Sequence, residues 1–257
     1  MLSLTRKFVA LVPLGVYCFA LHPDALNLTP QPGRMQALPA RTLWVWERPE
    51  DLRSIDPHTT AIATLDRTVV LSRTVSIIPR HQSYIYPAGT QRIAVVRIEA
   101  AASVVPNLLS KTAAAILDLA SAPDVAALQI DFDARRSQRV FYTALLRDVR
   151  RRMPPTLPLS ITALASWCSN DDWIASLPVD EAVPMFFRME PSRRFVPPSA
   201  PELRIREPLC SSSMGISTHE PMPASIGNKR IYIFPDRGWH DDLGALTSIS
   251  SAPRTQP

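Results

Sequence analysis

Two aspartates lie two residues apart in the run Leu-Gln-Ile-Asp-Phe-Asp, which spans residues 128–133. Side chains alternate along a β-strand, so Asp131 and Asp133 point to one side while Ile130 and Phe132 point to the other. Carboxylates this close raise each other's pKa, which favours proton transfer. Hydrolysis of a glycosidic bond requires two carboxyl groups, one to protonate the leaving oxygen and one to act as nucleophile or base. The run therefore predicts a catalytic site in which Asp133, the outer acid, matters most and Asp131 holds it in place.

Two further acids, Glu220 and Glu99, are candidates for the partner carboxyl group. Both lie at or just after the end of a strand-like run, and functional groups of an α/β barrel collect at the carboxyl ends of its strands. A chitinase-like pattern, Asp-x-x-Asp-x-Asp-x-Glu, would place its proton donor at residue 135. This position is Arg135, which cannot donate a proton at physiological pH. A donor must then come from another strand, with Glu220 as first choice and Glu99 in reserve.

Tryptophans near the predicted strands are candidates for binding a sugar ring. Trp46 and Trp167 are the two that we expect to form a platform, because sugar rings can stack on an indole. Packing in the core is the commoner role of any single tryptophan and remains the alternative for both.

Charged residues at the predicted strand ends are also candidates for substrate binding. They are Glu47, Arg97 and Arg188. The alternative is structural, because Arg97 can close an ion-pair network with Glu99 and the two aspartates without any catalysis.

These side chains must be positioned by a recurring pattern of short apolar runs with helical patterns between several of them. The pattern predicts an irregular (β/α)8 barrel, a TIM-like α/β fold in a single domain, with an open doubly wound sheet as the alternative. Little helix is expected in the second crossover, 72–91, or the sixth, 190–212. Helices are expected at residues 50–55, 106–120, 136–153 and 171–176. Strands are expected at residues 43–48, 61–71, 92–99, 126–133, 159–164, 182–189, 213–218 and 230–234.

The composition is that of an ordinary globular protein. Of 257 residues, 46% are hydrophobic and 20% are charged, which argues against a disordered chain. The net charge of +5 comes from 25 scattered arginines and 3 lysines, with no basic stripe, so no nucleic-acid partner is expected. The 7 glycines form no phosphate-cradling loop and the 5 histidines show no paired ligand spacing. We therefore expect neither a cofactor nor a metal.

Residues 1–21 have the features of an export signal. Arg6 and Lys7 provide a positive start, and the apolar run that follows is short for a membrane span. A cleaved signal peptide and an uncleaved N-terminal anchor both fit, so the protein is expected to be exported, either periplasmic or anchored in the inner membrane. Residues 22–41, with four prolines, are expected to form an extended linker. The barrel is assigned to residues 42–250 and a disordered tail to residues 251–257.

Two cysteines, Cys168 and Cys210, remain once the export segment is set aside. In an oxidising compartment they can pair, and the disulfide would then constrain the sixth crossover. Two buried thiols are the alternative, because free cysteine packs well in cores.

Five segments carry a resemblance to a known family. The longest read LWVWERPEDL at residues 43–52, QIDFDARRSQ at 129–138 and LSITALASWC at 159–168. LPVDEAVPM at 177–185 and GISTHEP at 215–221 follow in order. They resemble the motifs of DUF3142, a bacterial family of unknown function, over roughly residues 43–240. The resemblance implies a barrel related in shape to glycoside hydrolases, and it implies no activity or catalytic residues.

Together these patterns predict an exported barrel that hydrolyses envelope or secreted polysaccharide through paired carboxylates at the barrel mouth. A carbohydrate is therefore the expected substrate or ligand. The alternative is a non-catalytic glycan-binding or envelope-assembly protein that keeps the barrel but lacks a working acid pair. Two carboxyl groups facing each other at about 5–10 Å would favour the enzyme.

Overall fold

A computed structural model of the protein describes residues 30–102, 104–187, 204–220, 227–244 and 246. Within these residues eight parallel strands close into a barrel, because the first strand pairs with both the second and the last. In order around the barrel they are β1 (Arg41–Val45), β3 (Thr60–Leu71), β6 (Arg92–Ala100), β7 (Val125–Asp131), β8 (Leu159–Leu164), β9 (Glu181–Met185), β10 (Ser213–Ser217) and β11 (Arg230–Phe234). The predicted α/β barrel and its eight strands are confirmed.

Burial on both faces explains why the strands read as continuous apolar runs. On β6, Ile93 and Val95 pack inside the barrel, while Ala94 and Val96 pack in the outer layer beneath the helices. All four side chains are fully buried. The closed barrel therefore has an inner core and an outer core, and β6 contributes to both.

Two long helices cover β6, β7 and β8 from outside, where the sequence predicts them. They are α1 (Leu109–Ala120), preceded by a 3-10 turn at Pro106–Leu108, and α2 (Arg139–Arg152), preceded by one at Arg136–Gln138. The buried stripe of α2 runs through Tyr142, Leu145 and Val149. Val140 is apolar but 83% exposed, because its position on the helix points away from the barrel.

The other two predicted helices are corrected by the structure. Residues 50–55 begin with the short strand β2 (Glu50–Asp51), which is held extended because the buried Glu50 carboxylate accepts hydrogen bonds from Arg48 and from the backbone N–H of Trp239. Residues 171–176 form turns, in which Asp171 accepts from the backbone N–H of Trp173. Such local bonds compete with helix formation. Short helices lie instead at α3 (Ala165–Ser169) and α4 (Trp239–Asp242).

The second crossover contains a hairpin and little helix, as predicted. Strand β4 (Val75–Pro79) pairs antiparallel with the second half of β3, and β5 (Tyr84–Ile85) pairs with β2. Strand β1 pairs with the first half of β3 only, so β4 takes its place beyond the end of β1. The hairpin of β3 and β4 therefore rises above the barrel mouth.

The part of the predicted linker that the structure describes is packed against the base of the barrel. Residues Pro32–Ala37 form a 3-10 helix, and Met35 and Leu38 are buried among the inner core residues. Arg34 Nη1 lies 2.7 Å from Asp180 Oδ1, an ion pair that fixes this segment to the strand ends. The prediction of an extended linker is thus corrected for residues 30–40, because two apolar side chains there have a core to enter. The predicted export segment and tail lie outside the described residues.

Cys168 in α3 and Cys210 form a disulfide, which confirms the predicted pair. Cys210 ends a short 3-10 helix, Pro208–Cys210, just before β10. Most of the sixth crossover lies outside the described residues. Among the helices that are described, none has the length and apolar character to cross a membrane.

Candidate active site

A cleft of about 230 Å³ opens at the carboxyl ends of β6 and β7. Parallel pairing places Arg97 on β6 beside Asp131 on β7, so both side chains lie on the inner face of the sheet. Four of the predicted site residues and two further polar residues are among those that line this cleft: Arg97, Glu99, Asp131, Asp133, Arg135 and Gln138. The carboxyl ends of neighbouring strands thus bring together acids that are more than thirty residues apart in sequence.

Asp131 is the enclosed acid of the cleft, with a side chain that is only 12% exposed. The hydroxyl of Thr162, on β8, donates a hydrogen bond of 2.7 Å to Asp131 Oδ1. Arg97 Nη1 lies 4.0 Å from Oδ2. Burial raises the pKa of Asp131 and the charge of Asp133 adds to the rise, whereas the Thr162 hydrogen bond opposes it.

Asp133 is the exposed acid, two residues beyond the end of β7. Desolvation by the walls of the cleft raises the pKa of Asp133, and the nearby charge of Arg97 acts in the opposite direction. An accessible carboxyl group that keeps its proton to higher pH than usual is suited to donate that proton. The cleft therefore holds two acids of different character, one enclosed and one open to a ligand.

Tyr142 of α2 backs the acid pair from the outer core. It is fully buried, and its ring packs edge-on against Phe132 with centroids 5.1 Å apart. Burial, reinforced by the charges of Asp131 and Asp133, raises the pKa of Tyr142 well above its usual value. The Tyr142 hydroxyl therefore stays neutral, and the buried ring helps to keep water away from the side of Asp131 and Asp133 that faces the outer core.

Arg97 contacts both Glu99 and Asp131, as predicted by the alternative in which these charges form a structural ion-pair network. Its Nε lies 3.3 Å from Glu99 Oε1, in addition to the longer contact with Asp131. Both Arg97 and Glu99 remain substantially exposed. The ion pairs and the open cleft thus coexist, so the charges can serve a ligand as well as the fold.

Trp46 and Glu47 lie at the mouth beyond β1. Trp46 is half-buried, with its ring 5.3 Å from that of Trp44 and 6.1 Å from that of Phe234. Glu47 accepts hydrogen bonds of 2.8 and 2.9 Å from the backbone N–H groups of residues 81 and 82. Neither residue lines the acid cleft, because Trp46 packs against the inner core and Glu47 anchors the second crossover.

Two further predicted site residues, Trp167 and Glu220, also lie outside the cleft. Trp167 is 3% exposed and packs edge-on against Trp173 in the outer core, with ring centroids 4.9 Å apart. Its ring is therefore not available as a sugar platform, because α3 turns it away from the mouth. Glu220 follows β10, is half-buried and does not line the cleft. Arg188 lies outside the described residues.

Sequence reasoning missed Thr162, which fixes the orientation of Asp131. Its only signal in the sequence is its place in the alternating run of β8, and the register between β7 and β8 cannot be read from that run. Among the described ranges, no group of three or more histidines, cysteines or acids could hold a metal ion.

The comparison with family models bears on the segment that contains this cleft. Residues 88–187 match the model described as "Domain of unknown function (DUF3142)". The resemblance to DUF3142 is confirmed. The DUF3142 match spans β6 to β9 and includes every acid of the cleft, whereas the motifs at residues 43–52 and 215–221 lie outside it.

Comparisons with individual proteins add no activity to the DUF3142 segment. No curated protein matches the sequence. The crystal structure of the chitinase domain of the spore coat protein CotE from Clostridium difficile is similar at 15% identity over 58% of this chain and 50% of that one, with a TM-score of 0.39. The Bacillus cereus spore cortex-lytic enzyme SleL is similar at 18% identity over 69% and 51%, with a TM-score of 0.40. The chain spans about half the length of each.

Proposed function

We propose that this protein is an exported hydrolase that cleaves glycosidic bonds in envelope or secreted polysaccharide. The observation that carries the proposal is the pair of aspartates with raised pKa values at the mouth of a closed α/β barrel. Active sites of such barrels lie at this end of the strands. Export is inferred from residues 1–21 and is tested by fusing residues 1–30 to a reporter that is active only outside the cytoplasm.

Asp133 is proposed as the general acid. It is exposed to the cleft and keeps its proton to higher pH than an ordinary aspartate, so it can protonate the oxygen of the leaving sugar. Asp131 is the positioning residue behind it, and its own orientation is fixed by Thr162.

A second carboxylate must activate water or attack the sugar carbon. Glu99 is the favoured candidate for this second carboxylate, because it lines the same cleft. Glu220, the first choice from sequence, would have to act from the far side of β8 and β9. The variants Glu99→Gln and Glu220→Gln distinguish the two.

The alternative function is glycan binding without catalysis. It is favoured by one observation, the contacts of Arg97 with Glu99 and Asp131, which give these acids a structural use. In that case the cleft would bind sugars without cleaving them.

A hydrolysis screen over soluble polysaccharides and oligosaccharides of β-linked glucose, N-acetylglucosamine and uronic acid tests the proposal. Asp133→Asn is expected to lower the rate on any active substrate by about a hundredfold to ten-thousandfold, the usual effect of losing a general acid. The matched control is Asp118→Asn, which removes an exposed acid on the outer helix α1. Binding without turnover would support the alternative, and full activity of Asp133→Asn would contradict the proposed role.

A further inference from the structure

The inner face of the β3–β4 hairpin continues the wall of the acid cleft. Pairing in register places Ile78 of β4 opposite Thr68 of β3, and Thr68 beside Arg97 of β6. The same row continues through Asp131 to Thr162, which are joined by a hydrogen bond. Side chains in register on neighbouring strands share a face, so these five lie on one continuous surface.

A second row lies just above the first. Ser76 of β4 is opposite Val70 of β3, which is beside Glu99 of β6. Ser76 is exposed and Val70 is half-buried. The surface is therefore polar and charged at β6 and β7, and it becomes apolar at Val70 and Ile78.

Ile78 is one of six large hydrophobic residues that are exposed among the described residues. Its exposed fraction is 49%, although it faces the mouth and adjoins a charged cleft. Water contact with an isoleucine side chain is unfavourable, and a ligand with an apolar face would remove it. Sugar rings have such a face in their C–H groups, with hydroxyl groups around the rim that can reach Arg97 and the acids.

The extent of the surface indicates how long that ligand is. From β4 to β7 there are three strand-to-strand steps, or about 14 Å at about 4.8 Å for each step. A single sugar bound at the acids would leave Ile78 uncovered. Only a chain of several sugars can contact both ends.

We propose that the β3–β4 hairpin is a binding wall for an extended oligosaccharide, which crosses the strands from the acid pair and covers Ile78 with the apolar face of a distal sugar. The inference rests on the proposed function, since it requires a glycan at the acids. It specifies the substrate as the interior of a polymer chain or a long oligosaccharide, and not a short terminal sugar.

The hairpin provides its own matched control. Ile77 lies on the same strand and has the same exposed fraction, 49%. It is opposite Val69, however, and faces the outer layer. Ile78→Asn and Ile77→Asn therefore remove equal apolar surface from the two sides of one strand. Thermal unfolding of both variants shows whether the hairpin is intact.

Binding is measured on the full chain with two-sugar and six-sugar oligosaccharides of the β-linked glucose, N-acetylglucosamine and uronic acid series, in the Asp133→Asn background to prevent hydrolysis. Ile78→Asn is expected to weaken binding of the six-sugar ligand by about threefold to tenfold, because part of one isoleucine side chain is no longer covered. Binding of the two-sugar ligand is expected to stay unchanged, and Ile77→Asn is expected to change neither.

The outcomes separate the two proposals. If a six-sugar ligand binds and Ile78→Asn does not weaken it, or if Ile77→Asn weakens it equally, the binding wall is wrong while the proposed function stands. If no glycan of either length binds to the parent protein, the proposed function fails and the binding wall fails with it. Selective loss in Ile78→Asn alone supports the binding wall and a glycan bound at the acids, and the hydrolysis screen then tests turnover of that glycan.

Discussion

Asp131 is an ionisable residue in an enclosed position, which has a cost for the fold. Its pKa is raised in the folded protein, chiefly by burial, above the value of the unfolded chain. Between these two pKa values the folded state binds more protons than the unfolded state. The contribution of Asp131 to stability is therefore greatest at low pH and is lost as pH rises through the folded-state pKa.

Replacing Asp131 with asparagine should stabilise the protein at pH 7. The amide oxygen can still accept the hydrogen bond from Thr162, and the buried charge is gone. We expect a gain of up to about 1 kcal/mol, or about 2–4 °C in Tm, that disappears below pH 4, measured by thermal unfolding across pH. Asp118→Asn, on an exposed face, should show no such gain. A loss of stability in Asp131→Asn would mean that Arg97 and Thr162 stabilise the charged form more than burial opposes it.

At the scale of elements, α3 and the 3-10 helix at Pro208–Cys210 are held together by more than their disulfide. The backbone carbonyl of Cys168 accepts hydrogen bonds of 2.8 and 3.2 Å from the N–H groups of Arg206 and Glu207. These contacts join the end of β8 to the approach of β10. The pairing predicted from two cysteines thus has a defined structural task.

Removing this disulfide should lower the free energy of unfolding by about 3–4 kcal/mol, the loop-closure value for cysteines separated by 42 residues. The variant is the double Cys168→Ser, Cys210→Ser, measured by urea unfolding. Wild-type protein with dithiothreitol is the matched comparison and should shift toward the double variant. Two alkylated thiols in unreduced protein, found by mass spectrometry, would contradict the pairing.

At the scale of the whole molecule, a buried charge cluster helps to close the barrel below its mouth. Glu181 of β9 is fully buried, and its carboxylate accepts from Arg230 Nη1 at 3.0 Å and from the Tyr232 hydroxyl at 2.7 Å. Arg230 also donates to the backbone carbonyls of Leu38 and Pro39. One arginine therefore connects two barrel strands to the segment that covers the base.

Arg230→Met should cost about 3–5 kcal/mol of stability, because it leaves the Glu181 carboxylate buried without its cation. Adding Glu181→Gln should restore part of that loss, since the neutral amide needs no counter-charge. Urea unfolding of the single and double variants measures both effects. Equal stability of Arg230→Met and wild type would show that the ion pair does not hold the base of the barrel.

The sequence by itself predicted the strands and the two long helices, and it favoured the closed barrel over an open sheet. It could do so because apolar runs buried on both faces and the helical repeat at residues 106–120 and 136–153 are local patterns. It also placed Asp131 and Asp133 together at the end of one strand, although β7 ends at Asp131 and Asp133 lies just beyond it. Two cysteines outside residues 1–21 allowed a single pairing, and the structure decided between that disulfide and two buried thiols.

Only the tertiary structure decided which residues share a site. Register between strands brings Arg97, Thr162 and Ile78 into line with Asp131, and no pattern within one strand encodes its alignment with the next. Packing likewise turned Trp167 into the outer core and drew Met35 into the base of the barrel. The physical reason is that strand pairing and core filling depend on residues that are distant in sequence, whereas alternation and helical periodicity depend on adjacent ones.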